Sequence, residues 1–192
     1  MESVKDTELK AFFSYVVQVL DDLGIPYMIV GGFAAIFYGE PRATTDVDIL
    51  VDMQRKHVES FVKAFPIPDF YASKDGILDS LFRRYPFNVI QPTTGAKIDM
   101  VPLPRDAFSR ASFQRRKQIP IDETGRLAYF IAPEDIVIAK LIAFRATGSD
   151  KHSRDARGVM LIQKDKLNWD ELRKNAVSAN VAEALEELIQ TL

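Results

Sequence analysis

Two aspartates in this sequence have the type and spacing expected of ligands for a divalent cation. Asp46 and Asp48 are one residue apart and lead into an aliphatic run. Side chains alternate between the two faces of a strand, so both carboxylates should share one face while Val47, Ile49 and Val51 point into the core. Carboxylates gathered on a buried strand are costly unless a cation or a hydrogen-bond donor compensates them. The pattern therefore predicts a metal site.

A strand, a glycine pair and a helix precede the aspartates. Ile25–Val30 is a short apolar run typical of a buried strand, Gly31 and Gly32 follow, and Phe33–Tyr38 has the length of about two helical turns. Free backbone N–H groups at a helix start bind anions, and glycine lets a phosphate approach the backbone. A glycine pair alone indicates a plain tight turn more often than a site. Followed by the two aspartates, it predicts a phosphate cradle.

These motifs resemble the signature of the DNA polymerase beta-like nucleotidyltransferase superfamily. The string from Gly31 to Asp48, which includes Tyr38-Gly39-x-Pro41-Arg42-x-Thr44, resembles the small bacterial branch of minimal and toxin-type nucleotidyltransferases. The resemblance extends to about Asp155. It implies an α/β (α+β) fold in which a mixed twisted sheet is flanked by helices and followed by a helical C-terminal part.

The resemblance also implies a metal-dependent reaction on a nucleoside triphosphate (NTP). Asp46 and Asp48 would hold two Mg²⁺ ions, with Mn²⁺ as an alternative, and a third carboxylate on a later strand fits Asp99. Asp99 would hold the ion nearer the acceptor hydroxyl. It is then the best placed general base, although metal-lowered hydroxyl acidity would make a base unnecessary.

Further residues are expected at the nucleotide. The Gly31 and Gly32 amides would bind the β- and γ-phosphates, and the triphosphate is within the expected reach of Arg42, Thr44 and Lys140. Each of these three side chains has a plainer interpretation. They would be a surface arginine, an ordinary strand threonine, and a lysine whose stem packs on the core while its amine stays in water.

The sequence departs from the branch at one position. Relatives often carry Lys/Arg-Asp-x-x-Asp at the start of a later helix, whereas this chain has Arg154 and Asp155 followed by Gly158 at the place of the second acid. The predicted metal carboxylates are unaffected. Arg154 and Asp155 were candidates for a local ion pair.

Composition limits the classes of protein. The 192 residues suffice for one core, with residues 1–104 expected as the catalytic core and 105–192 as a β-hairpin and helices packed against it. No apolar run approaches the ~18 residues of a membrane helix, and the acidic N-terminus lacks a signal-peptide pattern. There are no cysteines and only two histidines. We expect a cytoplasmic, bacterial protein.

Basic residues form two groups despite the net charge of −2. They are Arg105, Arg110, Arg115, Arg116 and Lys117, and then Arg145, Lys151, Arg154 and Arg157. Such runs are usually solvated faces, but two of them beside an acidic site favour a phosphate-bearing substrate. The expected acceptor is an RNA or tRNA end, with a protein side chain or a small hydroxylated molecule as alternatives.

Two classes of function remain from the sequence. The favoured one is an active nucleotidyltransferase. The other is a non-catalytic interaction module that kept the fold, such as one component of a toxin–antitoxin pair bound to a cognate antitoxin. Three carboxylates in one site argue against the second class, because a binding module has no need to bury them.

Overall fold

The computed structural model describes residues 4–42, 44, 46–122 and 125–192. Within these ranges the chain forms nine α-helices and six β-strands in one connected array. The helices are α1 (Val4–Asp22), α2 (Gly31–Tyr38), α3 (Val58–Lys63), α4 (Lys74–Arg83), α5 (Ala107–Gln114), α6 (Pro133–Thr147), α7 (Asp150–Ile162), α8 (Trp169–Ser178) and α9 (Ala182–Ile189). The strands are β1 (Tyr27–Val30), β2 (Val47–Val51), β3 (Phe87–Gln91), β4 (Ala96–Pro102), β5 (Lys117–Pro120) and β6 (Leu127–Phe130).

The six strands form one mixed sheet in the order β3-β4-β2-β1-β6-β5. β2 runs parallel to β4 and antiparallel to β1, whereas β1 runs parallel to β6. Two hairpins, β3-β4 and β5-β6, lie at opposite edges of the sheet, and the second is the one expected within residues 105–192. The mixed sheet flanked by helices confirms the predicted fold class. The turn residues Glu123 and Thr124 of the second hairpin lie outside the described residues.

Side chains alternate between the two faces of β2 and β4, and this alternation decides which residues face the core. Val47, Ile49 and Val51 of β2 are buried, as are Ile98 and Met100 of β4. The residues between them on both strands, which include the aspartates, are only half-buried. The predicted parity of the strand carrying Asp48 is therefore correct, although β2 begins at Val47 and Asp46 directly precedes it.

The C-terminal helices α6 and α7 pack against α2, the helix that follows the first strand. α6 is buried on several sides, with Ile136, Val137, Ile138 and Leu141 all inside the core. α6 and α7 pack against each other and both contact α2. Among the described residues, no helix has both the length and the apolar character required to span a membrane.

Candidate active site

The paired aspartates meet the third one across the parallel strand pair β2-β4. Asp48 and Asp99 are direct partners in the register of the two strands, so their side chains lie side by side on the same face. Asp46, just before β2, lines the same pocket of about 210 Å³. The full lining is Gly31, Gly32, Thr44, Asp46, Asp48, Asp99, Lys140, Lys151 and His152. The structure thus brings together seven of the eight predicted site residues, and Arg42 lies next to them.

The carboxylate of Asp48 is the most perturbed acid of this group. Burial raises its pKa above 3.8, and the negative charges of Asp99 and Asp46 raise it further. A hydrogen bond from the Gly32 N–H and the positive charge of Lys140 act in the opposite direction. The acids of this pocket therefore repel one another, and a cation between them would relieve that repulsion.

Asp99 has a cationic neighbour of its own. The Nζ atom of Lys97 lies 3.0 Å from Oδ2 and 3.2 Å from Oδ1 of Asp99. The ammonium group is half exposed, so the pair contributes little to stability. Because Lys97 is two residues before Asp99 on β4, it neutralises this carboxylate on the same face of the sheet.

The glycine pair forms the turn from β1 into α2. Gly31 has φ +69°, a left-handed conformation that favours glycine, and Val30 before it is extended. A Cβ at Gly31 would lie 2.0 Å from Oδ2 of Asp48, so the strand end and the carboxylate are in direct contact. The Gly32 N–H, which we expected to face a phosphate, is close enough to Asp48 to lower the pKa of its carboxyl group. The start of α2 and the carboxylate of Asp48 are therefore in direct contact and cannot move independently.

The side chain of Thr44 faces the glycine turn. Its Oγ1 donates a hydrogen bond of 3.4 Å to the carbonyl oxygen of Asp46. A Cβ at Gly32 would lie 3.6 Å from the same Oγ1. The Thr44 hydroxyl thus lies between Gly32 and the backbone of Asp46.

Asp155 joins the two other predicted cations of the site. It accepts hydrogen bonds from Nε and Nη2 of Arg42 at 2.8 and 3.0 Å, and from Nζ of Lys140 at 2.7 Å. Burial alone would raise the pKa of Asp155, but the hydrogen bonds from Arg42 and Lys140 outweigh it and hold the pKa below 3.8. Asp155 therefore pairs with distant cations and not with Arg154.

Lys140 does not fit the plainer interpretation, in which its amine would stay in water. It is 5% exposed, and its amine is held by Asp155 instead of by water. Its position in the middle of α6 is explained by this buried ion pair with α7. Lys140 remains close enough to Asp48 to lower the pKa of that carboxyl group.

The glycine at position 158 has a packing role. A Cβ at Gly39 would lie 2.9 Å from the Val159 nitrogen and 3.0 Å from the Gly158 carbonyl carbon. The end of α2 and the middle of α7 therefore approach each other backbone to backbone. Gly158 also lines a second pocket of about 210 Å³ with Arg42, Lys151 and Arg154. Lys151 lines both pockets, so the two adjoin.

Two residues of the pocket were not found from the sequence as site residues. In the sequence, Lys151 is only one member of a basic group, and His152 is one of two histidines too far apart in the chain to indicate a metal site. The Nδ1 atom of His152 is buried and has no hydrogen-bond partner among the described residues. Burial and the charge of Lys140 lower the pKa of His152, so the ring is neutral near pH 7. Both residues lie in the first turn of α7, which only the fold brings to the acids.

The donor set suits a hard divalent cation. In the described part of the chain, no three acidic, histidine or cysteine side chains form a ready-made metal cluster. Mg²⁺ does not require one, because it is usually held by one or two carboxylates together with substrate phosphate oxygens and water. The neighbouring carboxylates of Asp48 and Asp99 and the raised pKa of Asp48 fit that type of site.

The fold and the site define the class of this protein: a nucleotidyltransferase with an Asp-x-Asp strand beside a glycine-opened helix. The chain belongs to the family described as nucleotidyltransferase of unknown function (DUF6036), whose model matches residues 7–190. No curated protein is detectably similar to it in sequence.

Solved structures agree with this assignment at the level of the fold. An antigenic nucleotidyltransferase-like protein from Paracoccidioides brasiliensis superimposes with a TM-score of 0.58 at 21% identity, covering 96% of this chain and 93% of its own. The antibiotic-resistance factor ANT(2'')-Ia gives a TM-score of 0.53 at 13% identity, and the match covers 97% of this chain and 100% of that protein. The predicted nucleotidyltransferase fold is therefore confirmed, and the family match confirms the nucleotidyltransferase class.

Proposed function

We propose that this nucleotidyltransferase transfers a nucleoside monophosphate from an NTP to an acceptor hydroxyl, with Asp46, Asp48 and Asp99 as the catalytic carboxylates. The observation that carries this proposal is the register pairing of Asp48 with Asp99 beside the glycine turn. It sets hard oxygen ligands next to a helix start, where anions bind. Residues 1–104 would supply this core, and residues 105–192 would pack on it and contribute Lys140.

The three carboxylates would hold Mg²⁺ or Mn²⁺. A bound divalent ion supplies charge neutralisation for the phosphates and for the oxygens that attack and leave. The acceptor hydroxyl oxygen forms a bond to the α-phosphorus, the bond from that phosphorus to the bridging oxygen breaks, and pyrophosphate leaves. Asp99, exposed enough to reach the acceptor, takes the hydroxyl proton.

The nucleotide would be held by the residues around the glycine turn. The Gly31 and Gly32 amides bind the β- and γ-phosphates, which requires the Gly32 N–H to exchange Asp48 for a phosphate oxygen. Thr44 orders the turn, and Arg42 and Lys140 supply positive charge. Because Asp155 holds both cations, it positions them for the triphosphate while keeping the buried ammonium of Lys140 paired.

The acceptor we favour is an RNA or tRNA end. The supporting feature is the cationic surface beside the acids, where exposed Lys151 and Arg154 line adjoining pockets. A protein or small-molecule hydroxyl remains the second candidate class of acceptor. A cognate antitoxin would be a further partner of a toxin-type enzyme.

The first basic group contributes less than its sequence suggests. Arg115 pairs with the fully buried Asp135 at 2.6 Å, and the Arg116 guanidinium stacks over the rings of Phe113 and Tyr129. Both residues therefore stabilise the fold, and replacing them would confuse a test of binding. Variants for an acceptor test should leave them in place.

The proposed function is tested by incubating the protein with each α-labelled NTP, Mg²⁺, and either total RNA or total protein. We expect label in RNA together with release of pyrophosphate. Label in protein would replace the RNA acceptor by a protein one. Absence of label and of pyrophosphate with every NTP and acceptor would contradict the proposed activity.

A further inference from the structure

A second cationic pocket lies away from the three acids. Its volume is about 310 Å³, and it is lined by Asp52, Arg84, Leu103, Pro104, Arg105, Arg110 and Gln114. Three guanidinium groups thus face one carboxylate, although acidic residues outnumber basic ones, 27 to 25, in the whole chain. A pocket with this excess of positive charge is suited to an anion.

Two of these arginines are not used by the fold. In the part of the chain that the structure describes, the side chains of Arg105 and Arg110 form no hydrogen bond and no ion pair, and both residues are exposed. Their neighbours Arg115 and Arg116 are fully engaged in packing. A guanidinium presents a planar fork of donors that matches phosphate oxygens.

The pocket is built on the central strands. The Leu103 N–H donates to the carbonyl oxygen of Val51 at 2.8 Å, which extends the β2-β4 pairing beyond the strand ends. Nη1 of Arg84 donates to the carbonyl oxygen of Leu103 at 3.1 Å. The segment that carries Arg105 is therefore fixed to the sheet and does not belong to a loose loop.

The pocket and the acids share one face of the sheet. Asp52, directly after the end of β2, follows Asp48 by four residues, and Leu103, directly after the end of β4, follows Asp99 by four, so both pairs have the same parity. Four residues of strand correspond to about 13 Å. Leu50 and Val101, which lie between them, are only half-buried, so solvent reaches the path between the two sites.

We infer that this arginine pocket (Arg84, Arg105 and Arg110) binds a backbone phosphate of the RNA acceptor, about four nucleotides from the hydroxyl that enters the acid site. The inference rests on the proposed function, because it takes the RNA end to lie at Asp48 and Asp99. About 13 Å is the length of roughly four stacked nucleotides at 3.4 Å each. A small acceptor cannot reach both sites, whereas a single strand laid along β2 and β4 can.

The test measures binding of fluorescently labelled single-stranded RNA by anisotropy, without NTP. The variant is Arg105→Ala/Arg110→Ala, and the matched control is Lys164→Ala/Lys166→Ala, which removes the same charge from two exposed lysines between α7 and α8. For an eight-nucleotide RNA we expect the arginine variant to bind about tenfold more weakly. The negative slope of log affinity against log salt concentration should also become shallower by about 1.4, since two phosphate contacts are lost. The lysine variant should keep both values.

RNAs of different length distinguish a phosphate contact at the arginine pocket from a general effect of lost charge or lost folding. A dinucleotide competitor cannot reach the arginine pocket, so it should compete equally well for the parent and the arginine variant. The parent and the arginine variant should also have the same melting temperature. Equal affinity of parent and arginine variant for the eight-nucleotide RNA, or an equal loss with the dinucleotide, would overturn the inference.

Two other outcomes are informative about the ligand class. If poly-glutamate depends on Arg105 and Arg110 and the RNA does not, the pocket binds an acidic protein and the inference is wrong. Since binding is scored without turnover, a parent that binds RNA as described but transfers nothing would contradict the proposed function and leave the pocket assigned. If the parent labels RNA but RNA binding does not depend on Arg105 and Arg110, the proposed function stands and the inference about the arginine pocket is wrong.

Discussion

A Cβ atom on Gly31 would lie 2.0 Å from Oδ2 of Asp48. The glycine turn and the central acid therefore cannot change independently. A side chain at position 31 must push the Asp48 carboxylate away from the position in which it adjoins Asp99. The neighbouring Gly32 is less restricted, because a Cβ there would lie no closer than 3.2 Å to Nη2 of Arg42 and 3.6 Å to Oγ1 of Thr44.

Gly31→Ala should therefore abolish activity, while Gly32→Ala should retain much of it. The φ of +69° adds about 1–2 kcal/mol of strain to the first variant. We expect the rate of nucleotidyl transfer by Gly31→Ala to fall by about 100-fold or more. Steady-state kinetics of the two purified variants would check this, and a Gly31→Ala enzyme as active as Gly32→Ala would show that contact with Asp48 is not required.

Asp48→Asn should remove activity and raise the melting temperature in metal-free buffer. The substitution keeps an oxygen that can accept the Gly32 N–H, and it removes the charge that Asp99 and Asp46 repel. Calorimetry in a chelator would measure the change. A large loss of stability would indicate that the carboxylate is a structural element and not a strained site residue.

Asp155→Ala should destabilise the protein by about 3 kcal/mol, because it leaves the ammonium group of Lys140 buried without its partner. Adding Lys140→Met should restore most of the loss. Denaturant unfolding of the single and double variants measures both effects. If the double variant is as unstable as Asp155→Ala, the ion pair is not the cause.

The same variant should reveal a pH dependence. The pKa of Asp155 is held below 3.8, so its contribution to stability is present above that pH and is lost as the pH falls through the lowered pKa. The difference in unfolding free energy between the parent and Asp155→Ala should thus be constant near neutrality and shrink below about pH 3.8. A constant difference down to pH 2 would contradict the assigned charge state.

Gly39→Ala should cost about 1–3 kcal/mol, since the added methyl would meet only backbone atoms at 2.8–3.0 Å. Gly158→Ala should cost less, because its nearest contact is 3.3 Å and alanine favours the helix. Thermal unfolding of the two variants checks the order. The reverse order would show that α2 and α7 can separate at Gly39 without loss.

The local parts of this structure could be predicted from the sequence. The period of two in β2 placed Asp48 on the face opposite the core, and the hairpin expected after residue 104 is present as β5-β6. The site motifs were found because glycine pairs and Asp-x-Asp strands are short-range patterns. These features depend on neighbours within a few residues.

Contacts between distant segments could not be predicted. Asp155 lies 113 residues from Arg42, and no local pattern indicates that pairing. His152 and Lys151 reach the acids only because α7 packs against α2 and α6. In the same way, Arg105 and Arg115 look alike in the sequence, and only the tertiary structure shows that Arg105 has no side-chain partner among the described residues while Arg115 neutralises Asp135.

In the proposed function, nucleotide transfer depends on the carboxylate site around Asp48. The decisive measurement compares the parent, Asp48→Asn and the control Asp69→Asn, which removes one exposed carboxylate outside the site, with α-labelled NTPs, Mg²⁺ and total RNA. We expect equal labelling and pyrophosphate release by the parent and Asp69→Asn, and neither by Asp48→Asn. Labelling by Asp48→Asn at the parent's rate would contradict the proposed function.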